Sequence, residues 1–252
     1  MSDLSAATAH FATNDLRVGS IISRSGAVMS RHFLTFFIVA VIAYSPTLLI
    51  ASMQTAEPIG PSEAVSQALW VLLAAVLLMV LSMLSNAIIL HAAFQDMRRR
   101  PVRLIESFSV GLSRLLPLVG LVFLASFLVL LGMVLLLIPG LILYTMWFVG
   151  VQACVVERLG PWTSLRRSRE LTRGYRWKLF AMALLILVGS LGSSLIESVL
   201  GAFAGPIVGL SGQLVWSGIW GAFSAIVFTV TYYDLRVIKE GVDVEQISAV
   251  FD

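Results

Sequence analysis

The sequence predicts an all-α polytopic membrane protein: six transmembrane helices in three hairpins, each hairpin preceded by a cytoplasmic interfacial amphipathic helix. Three observations carry that expectation. Of 252 residues, 58% are hydrophobic and only 12% charged, so a soluble fold would lack the polar groups to cover its surface. Apolar stretches long enough to cross a bilayer can be read six times between residues 33 and 233. All 17 Lys and Arg fall in the tail or connections on one side of those stretches. Under the positive-inside rule that asymmetry puts both ends of the chain in the cytoplasm.

Residues 1–16 read as a cytoplasmic tail. The first amphipathic element follows, with Val18, Ile21, Ile22, Ser25, Val28 and Met29 on one helical face and Arg17, Arg24 and Arg31 on the other. That is a period of 3.6. Spans are expected at 33–53 and 67–91. Their link, 54–63, holds Glu57, Pro58, Gly60 and Pro61 and no base, which suits an outer loop. The first apolar run begins after about 30 residues and exceeds a signal-peptide core, so it is expected to remain as a span.

In the second unit, Leu104, Ile105, Phe108, Leu112 and Leu115 form an apolar stripe opposite Glu106, Ser109 and Ser113. Spans 115–138 and 140–156 follow. Ile138, Pro139 and Gly140 form nearly the whole link, because proline starts a helix but does not continue one. In the third connection, Arg166, Arg169, Arg173 and Arg176 share a face while Leu165, Thr172 and Tyr175 share another. Glu170 lies one turn from Arg166 and Arg173, within pairing reach. Spans 178–200 and 212–234 follow, joined by an uncharged link with Gly205 and Pro206. The membrane domain thus covers 17–236, ahead of a cytoplasmic tail at 237–252. Units 17–91, 101–156 and 160–234 read as a threefold repeat. The second and third open alike, Arg100 and Pro101 leading to Ser107, and Gly160 and Pro161 leading to Ser168.

The chain has one cysteine, Cys154, so an intramolecular disulfide and a thiolate cluster are both excluded. In its apolar run it reads as a small buried hydrophobe. His10, His32 and His91 are scattered and no carboxylate cluster accompanies them. There is no nucleophile elbow, no phosphate loop with lysine and no metal-spaced histidine pair. No catalytic, metal or cofactor residue is therefore assigned. A net charge of +3 without an aromatic-interleaved basic patch gives no reason to expect nucleic acid.

The candidate contact surface is basic. It comprises Arg98, Arg99 and Arg100 after the second span, and Arg166, Arg167, Arg169, Arg173, Arg176 and Lys178 in the third connection. Guanidinium groups hold phosphate oxygens through paired hydrogen bonds, which points to anionic headgroups or a partner. Anchoring spans and fixing their orientation is the ordinary role of such arginines and stands beside that reading. Trp162, Tyr175 and Trp177 fit an aromatic belt at headgroup depth. Glu157 and Asp234 end spans beside Arg158 and Arg236. A carboxylate at that depth is costly unless paired, so inter-helix ion pairs with the arginine connection are expected. Ser82, Ser85 and Asn86 share a face of the second span and Gln152 lies in the fourth, where polar groups bond across helices. Small residues at 189 and 193, and at 217, 221 and 225, permit close packing within the chain or between copies.

Residues 136–184 carry a further pattern: Ile138, Pro139 and Gly140, then Val156, Glu157 and Gly160, then Leu165, Arg166, Arg167, Ser168, Leu171, Gly174 and Trp177. The chain closes on Tyr232, Tyr233, Asp234, Leu235 and Arg236, with Glu240 and Gly241. These residues resemble the membrane domain of glycerophosphoryl diester phosphodiesterase membrane-domain proteins and related uncharacterised bacterial six-span proteins. The resemblance covers most of the chain and implies a fold, in a bacterial inner membrane, more than an activity. The phosphodiesterase of that name is a separate soluble domain, for which 252 residues leave no room. Its chemistry needs histidines beside metal-binding carboxylates. The expectation is a noncatalytic integral membrane protein, a lipid-contacting scaffold or partner module touching anionic lipids. Another membrane protein or a second copy of the chain is open as partner. A transporter or lipid-translocating protein is the alternative, and a membrane-embedded lipid enzyme working near Glu157 or Asp234 is the second.

Overall fold

A computed structural model describes residues 16–46, 61–98, 104–204 and 206–240, and every regular element among them is a helix. In chain order these are α1 (Val18–Arg31), α2 (Phe33–Tyr44), α3 (Pro61–Met97), α4 (Leu104–Leu135), α5 (Leu137–Met146), α6 (Gly150–Val156), α7 (Pro161–Thr172), α8 (Arg176–Ala204) and α9 (Pro206–Glu240). Most of both tails, most of the first outer loop, Arg99, Arg100 and Gly205 lie outside the described residues.

Four helical segments are long and apolar enough to cross a membrane: Glu63–Met97, Ile105–Leu135, Leu137–Val156 and Ser211–Glu240. The number rises to six if two bent pairs each count as one span. Helices α1 and α2 meet at 89°, and α7 meets the Arg176–Gly192 part of α8 at 109°. This is the helix content of a multi-pass membrane protein. The exposed side chains agree, since Leu69, Trp70, Phe123, Phe127, Leu130, Leu187 and Leu195 all lie open on the outer surface. Lipid covers such a surface without large cost.

The first and third amphipathic connections are separate helices, but the second is not. Residues 104–115 run without interruption into the next span as the 32-residue helix α4, with Pro117 inside it. The difference lies in the joints. Gly174 adopts φ +94°, a left-handed conformation that glycine takes without steric cost and that turns α7 away from α8. No residue of α4 has positive φ, and Pro117 removes one helical hydrogen bond without reversing the chain. The apolar stripe is therefore carried outward: Ile105, Phe108 and Leu112 are exposed, whereas Ser107 and Gly111 are buried. Ser107 Oγ lies 3.0 Å from His91 Nδ1 of α3.

The expected link at Ile138, Pro139 and Gly140 is also displaced. The chain reverses at Leu136 alone, which is extended (φ −158°, ψ 132°), and those three residues form the first turn of α5. Pro139 is tolerated there because a first-turn amide has no helical acceptor to lose. The last two helices, expected to be joined by a link over 201–212, extend to Ala204 and from Pro206. Small residues permit the resulting close packing. The Trp220 ring lies against Gly189, and its Nε1 donates to Ser190 Oγ at 2.9 Å. Gly221 faces the Tyr44 ring of α2. The small-residue pattern thus packs α8 and α2 onto α9 within one chain.

The main core gathers α1, α2, α3 and α9 around Ile21, Phe36, Ile89, Phe94, Ile226 and Tyr232. A second cluster joins α3, α4, α6 and α7 through Leu90, Leu118, Leu121, Cys154 and Leu165. A Cβ on Gly140 would come within 2.2 Å of Met133 Cγ and 2.7 Å of the Met133 amide nitrogen. Gly140→Ala should therefore destabilise the fold by about 1–3 kcal/mol. Thermal unfolding in detergent should show a lowered midpoint. Gly192→Ala, whose new methyl meets nothing within 4 Å, should leave the midpoint unchanged or raised.

Candidate functional site

Helix α7 has two faces with different tasks. It begins at Gly160 with Pro161 in the first turn and ends at Arg173, whose ψ of 123° leads into Gly174. Ser164, Leu165, Ser168, Leu171 and Thr172 are buried against the bundle. Trp162, Arg166, Arg169 and Glu170 point outward, and beyond the bend Arg173 and Trp177 continue that exposed surface.

The inward face docks where the fourth apolar segment is broken. Helix α5 stops at Met146 and α6 starts at Gly150. The Gly150 amide donates to the Trp147 carbonyl, so the Met146 carbonyl loses its helical donor. Ser168 Oγ donates to that carbonyl at 3.0 Å and Thr172 Oγ1 donates to it at 3.1 Å. Ser168 Oγ also accepts from the Val149 amide at 3.3 Å. One hydroxyl serves both purposes because it carries a donor and two acceptor lone pairs. Broken backbone is tolerated at membrane depth only when such groups are satisfied by protein.

Docking α7 turns Arg167 inward. Its Nε donates to both oxygens of Glu157 at 2.9 Å, and its Nη2 donates to Glu240. Tyr232 Oη donates to Glu157 Oε1 at 2.7 Å, and Arg236 Nε donates to Glu240 Oε2 at 2.8 Å. This network joins the end of α6, α7 and the end of α9. Burial works against the Arg167 charge, but the hydrogen bonds and charges of Glu240 and Glu157 outweigh it and raise its pKa. Arg167 and Glu157 keep side-chain exposures of only 23% and 17%, so solvent screens their attraction weakly.

Two further pairs tie the first amphipathic helix to the bundle. Arg24 pairs with Asp234 of α9. Arg31 Nη2 donates to Asp96 Oδ2 at 2.6 Å, and His32 Nε2 lies 3.0 Å from Asp96 Oδ1. Between α6 and α7, Arg158 has φ 54°, a conformation uncommon for a side-chain-bearing residue. Its carbonyl accepts from Arg114 Nη1 of α4 at 3.2 Å.

The candidate basic residues therefore separate. Arg166, Arg169 and Arg173 are exposed, Arg166 with Glu170 3.4 Å away. Arg167 is in the network. Arg176 lies past the bend, half-buried, its Nε buried without a hydrogen-bond partner among the described residues. Lys178 and Lys239 lie over the Tyr175 ring, and Arg98 lies over Phe94. Arg176 leaves the expected stripe because the helix that carries the stripe ends at Thr172. Of the expected ion-pair residues, Glu157 meets Arg167 of α7 and Asp234 meets Arg24 of α1, while Arg236 lies against Glu240 and the Arg158 carbonyl accepts from Arg114. No pairing role was assigned from sequence to Arg24, Asp96 or Glu240. The i, i+4 spacing of Arg236 and Glu240 was the available signal for the last of these.

A cavity of about 240 Å³ lies deeper between the helices. Asn86 and Gln152 line it together with Met83, Leu118, Phe148 and Phe228. Ser82, one turn from Asn86, is not among its lining residues. Its hydroxyl donates to the Met79 carbonyl, while its own carbonyl accepts from Asn86 Nδ2 at 2.8 Å. Among the described residues, no group of three or more His, Cys, Asp or Glu side chains could hold a metal ion.

No family model, curated protein or solved structure matches the chain.

Removing Arg167 would strand Glu157 and Glu240 without their shared cation. Arg167→Gln should destabilise the protein by about 2 kcal/mol, whereas Arg166→Gln should change stability by less than about 0.5 kcal/mol. Paired thermal melts of the two variants in the same detergent measure the difference.

Proposed function

We propose that this chain is a noncatalytic six-span protein of a bacterial inner membrane, with both ends cytoplasmic, that acts as a lipid-contacting scaffold. The observation that carries the reading is the outward surface of α7 and its bend. Trp162, Arg166, Arg169, Arg173 and Trp177 are all exposed there, and α7 lies at 109° to the span that follows it. A helix across a span's direction lies along the interface, where arginines meet phosphate oxygens and indoles meet the headgroup layer. The inward network supports the same reading, since Arg167 is committed to structure and leaves the outer arginines to the lipid. The resemblance of this sequence to phosphodiesterase membrane domains agrees with a membrane module. Glu157 and Asp234, the carboxylates that a lipid enzyme would use, are both held in ion pairs.

A second reading, transport or translocation of an amphiphile, is favoured by one observation: the cavity reached by Asn86 and Gln152.

The scaffold reading is tested by replacing Arg166, Arg169 and Arg173 with Gln together. Each basic residue at an anionic surface contributes about 1 kcal/mol, so retention of phosphatidylglycerol should fall at least about tenfold. Native mass spectrometry of protein released from mixed phosphatidylglycerol and phosphatidylcholine nanodiscs provides the readout, with circular dichroism as the check on folding. Equal retention by the triple variant would reduce these arginines to anchors.

A further inference from the structure

The cavity contains a polar group that the fold does not satisfy. Gln152 is 5% exposed, lines the space and has its Oε1 buried without a hydrogen-bond partner among the described residues. A buried acceptor left in that state costs about 1–3 kcal/mol. Asn86, the other polar lining residue, has its Nδ2 engaged by the Ser82 carbonyl.

Water is a poor occupant. A buried water needs two to four polar partners, and predominantly apolar cavities stay dry. Among the described residues the rest of the lining is apolar, Met83, Leu118, Phe148 and Phe228 included, and no charged side chain takes part. The volume of about 240 Å³ would take a cluster of waters, with Asn86 and Gln152 the only polar side chains among the described residues to anchor it. It falls just below the roughly 300–1,000 Å³ of pockets that enclose a whole small molecule. That size suits one end of a longer molecule whose remainder stays in lipid. The absence of a cation from the lining disfavours a phosphate or carboxylate.

We propose that this cavity binds the hydroxyl end of a neutral amphiphile, such as a long-chain alcohol or an acylglycerol, and that Gln152 recognises it. A hydroxyl fits because it both donates and accepts, and can therefore pair with either end of a carboxamide. The apolar walls take the first methylenes of the chain. This site is separate from the outer arginine surface, so the failure of either reading leaves the other standing.

The test uses the full chain in phosphatidylcholine nanodiscs and a diazirine-bearing monoacylglycerol as photoprobe. Labelling should map to peptides containing cavity residues and should be competed by 1-monooleoylglycerol but not by methyl oleate, which lacks the hydroxyl. Gln152→Leu should reduce the competable labelling about tenfold, and Val151→Trp, which fills the space, should abolish it. The triple arginine variant should label as the parent does. Equal labelling of Gln152→Leu, or equal competition by methyl oleate, would overturn the proposal. Equal competition by phosphatidylglycerol would also overturn it, by moving the ligand to the anionic class. If Gln152→Leu does not fold, Val151→Trp decides: retained labelling of the cavity peptides rejects the site and lost labelling supports it.

Discussion

In an unbroken helix the Met146 carbonyl would accept from the amide of residue 150, and the Val149 amide would donate to the carbonyl of Thr145. The pause between α5 and α6 redirects both groups, and each must find a partner from elsewhere because lipid offers none. Ser168 supplies both partners through one hydroxyl, with Thr172 as a second donor to Met146. The rest of this end of the bundle depends on that exchange. It fixes α7 against the bundle, and fixing α7 sets the direction of every arginine on it.

Once α7 is docked, helical geometry sorts its charges. Arg167 follows Ser164 by three residues and precedes Leu171 by four, so it shares their buried face. It meets Glu157 and Glu240 there. Arg166 and Arg169 fall outside the contact and remain on the surface. A partly buried ion pair is weak evidence of stability when compared with an apolar substitute, but it specifies geometry strongly when each charge has an opposite one in reach. The Arg167 network does this for the ends of α6 and α9, and Arg24 with Asp234 does it for α1. Helix α1 thus pairs with the bundle through Arg24 and Arg31 and α7 through Arg167, while α7 also presents a basic and aromatic face outward. The same pause brings Phe148 to the wall of the cavity that Gln152 lines.

The apolar helices were legible because length and composition nearly determine them. The pause at 147–149 was not, since Trp147, Phe148 and Val149 carry no helix-breaking signal and the groups that stabilise the pause lie about 20 residues further on. The continuity of α4 was obscured by the amphipathic stripe over 104–115, which reads equally as a separate interfacial helix or as the first turns of a span, and Pro117 is absorbed at the loss of one hydrogen bond. Arginine spacing showed a stripe. It did not show that Gly174 would end it before Arg176, because glycine marks a turn only when the backbone takes the left-handed conformation there. Glu157 and Asp234 were recognisable as needing partners; Glu157 finds Arg167 in the neighbouring arginine connection, whereas the partner of Asp234, Arg24, lies 210 residues away in sequence.

The docking of α7 into the pause is tested most directly by hydrogen exchange of the peptide spanning residues 145–152 in nanodiscs. Parent and Ser168→Ala proteins would be compared by mass spectrometry. Loss of the hydroxyl strands the Val149 amide and removes one of the two donors to Met146, so exchange in that peptide should quicken while peptides within α3 keep their protection. Identical exchange in the two proteins would contradict the account, because it would mean that the pause holds itself and that α7 is merely adjacent to it.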